Sequence, residues 1–320
     1  MIHRVSIPTP FRVGDVNAYL IEDDPLTLVD VGPGSARSLV ALEAGLAALG
    51  RTVEQLERIV ITHQHADHLG LIDIVADRSG AAVCALDQLV PILEDWSGYA
   101  ERNDRFAQTL LRRHGLPEPV VTTLGAVTRG YRAWGAGAPV SEVLHDGGEL
   151  TFAGRRFTAY HRPGHSPTDT IFFDERGGDL IAGDHLLRQI SSNPLVSLSP
   201  TGDPEDERPH ALATYMASMR ATHELPAGTV FPGHGDPFTD HAALIDERFE
   251  MHERRAGKFA ALIAAAPRTA HEIALETWGQ TALTQALLTI SEVLGHVDLL
   301  IERGDVIETS RDGVVRFTTT

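Results

Sequence analysis

The sequence predicts an α/β fold followed by a small tail of helices and a hairpin. Two patterns carry this. Short apolar segments of strand composition alternate with segments of helical period over roughly the first three quarters of the chain. Several apolar segments end in turns bearing histidine or aspartate, the place where open α/β sheets carry their chemistry. Ile2 to Ile7, Asn17 to Ile21 and Leu26 to Val31 read as strands, and an amphipathic helix runs from Ser35 to Leu49, stopping at Gly50. Leu56 to Thr62 is a buried strand, and Leu69 to Val75 forms the first turns of a helix.

Between that strand and that helix lies Thr62-His63-Gln64-His65-Ala66-Asp67-His68. Three imidazoles and a carboxylate packed so closely around a strand-to-helix loop point to metal. With 16 histidines in the chain, a solvated histidine-rich loop is the bland alternative. Three further segments argue against it, each a short apolar run closed by a glycine turn: Tyr160 to His165, Leu180 to Asp184, and Val230 to His234. Glycine beside a ligand lets the backbone turn sharply at a strand end and approach the site. Imidazole suits zinc, iron and manganese, and an added carboxylate bridge can hold two divalent cations close together. Two such Lewis acids lower the pKa of a shared water, giving a bridging hydroxide nucleophile, and polarise the group it attacks. No Gly-x-Ser-x-Gly elbow or Walker loop competes with this reading.

His63, His65, Asp67, His68, His165, Asp184 and His234 resemble, in type and order, the seven ligands of the metallo-β-lactamase-fold hydrolases. The likeness is to the dinuclear branch that includes glyoxalase II, lactonases and tRNA-processing nucleases. Val29-Asp30-Val31-Gly32-Pro33-Gly34 resembles the family's strand-end aspartate motif beneath the metal loop, so the likeness spans about residues 15 to 240. The resemblance implies an αββα sandwich and two divalent ions, zinc first, with iron or manganese as alternatives. His63, His65 and His165 would hold one ion, Asp67, His68 and His234 the other, and Asp184 would bridge, making Asp67 and Asp184 the catalytic carboxylates. Asp30 would support the ligands from behind. Enzymes that hydrolyse β-lactam antibiotics commonly carry a cysteine at the bridging position, so Asp184 points away from that activity.

At 320 residues, 42% hydrophobic and 22% charged, the chain can bury one large domain and a small one. No stretch approaches the roughly 20 apolar residues of a membrane span, and no signal-peptide core opens the chain. The single cysteine, Cys84, reads as a small buried strand residue, and a cytoplasmic location follows as the expectation. The net charge of −17, with Lys258 the only lysine, repels polyanions.

Residues 86–115 read as two helices inserted between the ligand clusters, overhanging the site, with Trp96, Tyr99, Phe106 and Leu110 as either packing or pocket lining. His114 and His145 read as structural or exposed. Residues 185–194 begin directly after Asp184 and form a second substrate segment: His185 could bind substrate or orient a ligand, Arg188 could pair with a substrate carboxylate, and Asn193 is a further candidate. From residue 241, a long helix (Ala242 to Ala266) leads to a capped helix at Thr269, helical periodicity from Leu283 to Glu302, and a hairpin from Gly304 to Phe317. This order resembles the winged-helix tail of a family branch related to an endoribonuclease. Its would-be recognition helix, Thr281 to Glu302, contains no Lys or Arg. Phosphate contacts therefore have little to draw on, and the tail reads as a packing or homodimerisation module that walls the site. The expected function is hydrolysis of a small thioester, ester or lactone, with a single-strand-directed endoribonuclease as the alternative.

Overall fold

The computed structural model describes all 320 residues. Six strands hydrogen-bond in chain order into one sheet: β1 (Ile2–Ile7), β2 (Val16–Ile21), β3 (Thr27–Val29), β4 (Arg58–Val60), β5 (Ala82–Leu86) and β6 (Glu142–Leu144). The first three are antiparallel, whereas β3 through β6 run parallel. Parallel neighbours need crossovers. These are α1 (Ala36–Ala48), then α2 (Ala66–Leu69) with α3 (Ile72–Ser79), then a helical block of α4 (Val90–Glu94), α5 (Trp96–Arg113) and α6 (Glu118–Tyr131). The second sheet has the order β11-β10-β9-β8-β7, built from β7 (Glu149–Thr151), β8 (Arg156–His161), β9 (Thr170–Phe173), β10 (Asp179–Gly183) and β11 (Thr229–Pro232). Helix α7 (Ala211–His223) supplies the crossover between parallel β10 and β11. The chain finishes with α8 (His241–Ala265), α9 (Ala270–Trp278), α10 (Thr281–Thr284), α11 (Ala286–Glu302) and the hairpin β12 (Val306–Arg311) with β13 (Val314–Thr319).

Period-two alternation makes the sandwich. All six residues of β2 are buried, because each of its faces meets a different layer. Tyr19 and Ile21 join Val29, Val60 and Cys84 against Phe157, Phe172 and Ile181 of the second sheet. Ala18 and Leu20 face outward with Ile59, Val83 and Ala85 under the helices of the first layer. On the far side Ile171, Phe173, Leu180 and Ala182 pack against Leu212, Tyr215 and Met219 of α7. The fold is therefore αββα, as the ligand pattern implied.

The C-terminal elements share the first layer's core. Ile290 and Val293 of α11 and Phe317 of β13 belong to the same buried cluster as Leu42 of α1 and Ile59 of β4. Between α8 and α11, the His252 and His296 rings meet nitrogen to nitrogen at 3.1 Å, and His296 Nδ1 donates to the Glu292 carbonyl at 2.7 Å. Glu292 is engaged by Arg255, so this buried trio joins two helices.

Several local expectations are corrected. The inserted block holds three helices and extends to Tyr131, whereas two were expected within 86–115, and Leu86 still belongs to β5. The helix expected from Leu69 begins at Ala66, placing Asp67 and His68 on its first turn, and it breaks at Gly70 and Leu71. The periodic stretch from Leu283 is interrupted at Gln285, whose backbone leaves the helical region. The reading of His114 and His145 as structural or exposed holds: His114 is buried and stacks on Phe317, and His145 pairs with Asp87 at the surface.

The inserted block docks through glycines. Gly34 N–H donates to the Trp134 carbonyl at 2.7 Å, directly above Gly70. A methyl group on Gly70 would overlap both the Trp134 oxygen and the Gly34 nitrogen, and neither backbone atom can swing aside. Gly70→Ala is expected to destabilise the protein by about 1–3 kcal/mol, the usual range for overpacking. An unchanged urea midpoint would show that this contact carries no stability.

Candidate metal centre

All the candidate ligands sit just beyond strand ends at one edge of the sandwich. Ile61 and Thr62 follow β4, and His63 is wholly buried there. His65 takes an extended backbone as the residue before α2, and the first turn of α2 then presents Asp67 and His68. His165 lies in the loop between β8 and β9, Asp184 directly follows β10, and His234 lies two residues beyond β11. Gly233 N–H donates to the Gly183 carbonyl at 2.6 Å, which brings the last two loops together. A side chain at Gly233 would collide with Asp184 and His68.

Two sets converge. His63 Nε2 and His165 Nε2 each lie 3.0 Å from His65 Nδ1. On the other side His234 Nε2 lies 3.4 Å from Asp67 Oδ2. Asp184 stands between, its oxygens 3.4 Å from His68 Nε2, 3.6 Å from His165 Nε2 and 3.5 Å from His234 Nε2. His63, His65, His165 and Asp184 thus form one group of potential ligands, and Asp67, His68 and His234 a second. The polar accounting fits a metal. His68 Nε2, His234 Nε2 and Asp184 Oδ1 are buried and lack any hydrogen-bond partner, a costly state for three clustered polar atoms unless a cation completes them.

The far sides of the rings are fixed. Asp30 adopts a left-handed backbone (φ 59°) and is buried. Its carboxylate accepts from Thr62 N–H and Thr62 Oγ1 at 2.9 Å each and contacts His68 Nδ1 at 2.8 Å. The Asp15 carbonyl lies 2.8 Å from His234 Nδ1, and the Asn193 carbonyl 3.0 Å from His165 Nδ1. Such partners set the tautomer that leaves Nε2 free to ligate. Thr168 donates to Gln64 across the two ligand loops, and the Asp169 carboxylate accepts from Ser166 N–H and Oγ to shape the His165 turn.

Burial pushes His63 well below the usual histidine range and His65 down to about 3, with the neighbouring imidazoles adding to the effect. Burial also opposes charge on His68 and His234, but there the carboxylates win. Asp184 and Asp30 raise His68 well above its usual value, and Asp184 and Asp67 raise His234 to about 10. Burial works against the charged form of Asp184, yet His234 and His68 hold it well below the carboxylate range. The buried carboxylates thus favour positive charge on this side of the site, which a divalent cation would supply.

The other expected site residues are distributed unevenly. Arg188 is exposed and lines a cavity of about 420 Å³ together with His234, Gln189 and Phe238. Asn193 touches the site through its backbone carbonyl, whereas a substrate contact was expected of its side chain. His185 is corrected: it is 1% exposed and its Nε2 meets Thr222 Oγ1 of α7 at 2.9 Å, because the turn after β10 directs alternate residues to opposite sides. Tyr99 is corrected likewise, being 3% exposed with its hydroxyl donating to the Leu198 carbonyl. Thr62, Gln64, Thr168 and Asp169 went unrecognised, although Ser166 to Asp169 carries the Ser-x-x-Asp spacing of a local turn.

Residues 11–234, ending on His234, match the family model of the metallo-beta-lactamase superfamily. The chain belongs to that superfamily. Its His/Asp clusters are those of a metal-dependent hydrolase of this family. It is similar to "Probable metallo-hydrolase YqjP" of Bacillus subtilis (strain 168), 31% identical over 92% of this chain and 91% of that protein. Among solved structures it resembles metallo-beta-lactamase family protein TTHA1429 from Thermus thermophilus, with a TM-score of 0.81 and 27% identity over 100% of this chain and 98% of that one. A beta-lactamase domain protein from Burkholderia ambifaria shares the fold at a TM-score of 0.84 and 24% identity, over 100% of this chain and 92% of that one. Both alignments run through the C-terminal helices and hairpin. No helix is long and apolar enough to cross a membrane.

A divalent ion would compete with protons for His68 and His234. Near neutral pH, binding to chelator-treated protein is expected to release protons from these rings. Because His234 titrates at about 10, affinity should climb with pH up to that value. Calorimetry in buffers of different ionisation heat measures the release. Heats independent of buffer would mean that both rings are already neutral.

Proposed function

We propose that the protein is a dinuclear hydrolase of the glyoxalase II-like kind, taking two divalent ions, zinc first, and acting on a small thioester, ester or lactone. The observation that carries this is the position of Asp184, whose carboxylate faces His68, His165 and His234 from between the two ligand sets. Bound there, divalent ions would lower the pKa of a water and polarise the carbonyl under attack. The chain's own groups do the rest. Asp184 and Asp67 supply buried negative charge that would offset the charge of two cations, Asp30 and the Asp15 and Asn193 carbonyls hold three imidazoles in the ligating tautomer, and His63 and His68 form a wholly buried floor.

Arg188 supports a substrate that carries a carboxylate or phosphate. Its guanidinium lies over the Phe238 ring, 5.8 Å from the centroid, at the edge of the cavity that includes His234. We read α9 to α11 and the hairpin as a winged-helix-like module for packing or self-association. The net charge of −17 and the absence of Lys and Arg from 281–302 oppose a polyanionic substrate. A thiolate also leaves without protonation, whereas a ribose oxygen wants a general acid, and the nearby carboxylates are committed to metal in this reading. With a single cysteine the chain uses no internal disulfide, which supports a cytoplasmic location.

Elemental analysis of protein never exposed to chelator is expected to find close to two divalent ions per chain, and one or none would sink the dinuclear reading. Asp184→Ala should lower turnover by more than about a hundredfold, beyond what losing an outer-shell partner costs, while the melting transition persists. A variant that keeps most of its activity would remove Asp184 from its assigned role. On a panel of acyl thioesters, aryl esters and lactones some member should be hydrolysed while single-stranded RNA stays intact. Metal-dependent RNA cleavage that disappears in Asp184→Ala would replace this substrate class with a ribonuclease.

A further inference from the structure

The residues between Asp184 and α7 contain a segment of irregular backbone strapped down at four points. Ser192 Oγ donates to the Asp184 carbonyl at 2.5 Å, Asn193 Nδ2 to the Leu288 carbonyl of α11 at 3.0 Å, and Val196 N–H to Ser291 Oγ of α11 at 3.0 Å. Leu198 N–H donates to Asn103 Oδ1 of α5 at 2.8 Å. The same Asn193 that reaches α11 with its side chain offers its backbone carbonyl to His165 Nδ1 at 3.0 Å.

The other ring nitrogens that face away from the site are held differently. His68 Nδ1 rests on Asp30, His234 Nδ1 on the Asp15 carbonyl, and His63 Nδ1 on the Thr62 hydroxyl at 3.0 Å. Those partners lie on strand-end loops of the first sheet. His165 differs from these three in that its partner is tied to the C-terminal helix.

We infer that α11 is a positioning element for one half of the metal centre: through Leu288, Ser291 and Asn193 it sets the orientation of His165, and hence the affinity of the ion that His63, His65 and His165 would share. Asn193 and Ser291 are the positioning residues. The other set, Asp67, His68 and His234, has no such tie and should not respond. The orienting partner of a ligand imidazole is commonly worth roughly 10- to 100-fold in metal affinity, which sets the scale of the expected effect. This inference rests on the two-ion reading above.

The test is competition of zinc against a chromophoric chelator, resolving the two binding steps in the full-length protein, with melting followed in parallel. Asn193→Ala, which removes the tie to Leu288 while the carbonyl of residue 193 remains, is expected to weaken one step by about 3- to 10-fold, below the roughly 10- to 100-fold of losing an orienting partner outright, and leave the other within about twofold. Ser291→Ala should weaken the same step by less. In a His165→Ala background, Asn193→Ala should add nothing further, since the group it positions is gone. Equal weakening of both steps, no change in either variant, or full additivity with His165→Ala would overturn the inference. If Asn193→Ala fails to fold, Ser291→Ala and its combination with His165→Ala decide. A wild-type protein with a single binding step would instead remove the dinuclear reading itself, so the two failures are separable.

Discussion

The Asp30 carboxylate is the contact on which the site depends. One buried group joins the end of β3, the loop after β4 and the first turn of α2, through Thr62 and His68. It does so from a left-handed backbone, a conformation that costs a non-glycine residue energy and persists only where the surroundings impose it. That cost is offset by three contacts that a rotated residue could not make. Its negative charge also reaches beyond His68 toward the open nitrogen on the far side, so a structural brace doubles as an electrostatic demand for a cation. Position and charge are thus set by the same atom pair.

From that brace the sandwich and the centre follow together. The strands alternate between the inner seam and the helical layers, so each has both faces covered and only its end is free to do chemistry. The four ligand loops meet at one edge because β4, β8, β10 and β11 all end there. Thr168 to Gln64 and Gly233 to Gly183 then sew the loops to one another, which fixes the spacing of the rings. Preorganisation of this kind lets binding energy go into the metal instead of into ordering the chain.

The side-chain ligands were legible in the sequence because histidine and aspartate at strand-end spacing are chemical signals in themselves. So were the first four strands of the first sheet and the helix capped at Ser35. What stayed hidden was carried by the backbone. The Asp15 and Asn193 carbonyls orient His234 and His165, yet any residue type offers a carbonyl, so nothing in the letters at 15 or 193 announces the role. His185 stands beside a ligand in sequence and behind it in space, a distinction decided by the direction of the chain leaving β10. Helix α6 lacked a strong signal because most of its residues face solvent and only Val121 and Gly125 are buried, and nothing in the local residue types marks the break at Gln285.

The shared core has an evolutionary consequence. Leu42, Ile59, Ile290 and Phe317 belong to one buried cluster, so the last quarter of the chain is no removable accessory. A lineage that discarded or exchanged it would have to re-cover an apolar face of the catalytic layer in the same step. Diversification is therefore channelled into the loops above the ligands and the inserted helices, where residues can change while the hydrophobic seam beneath stays closed.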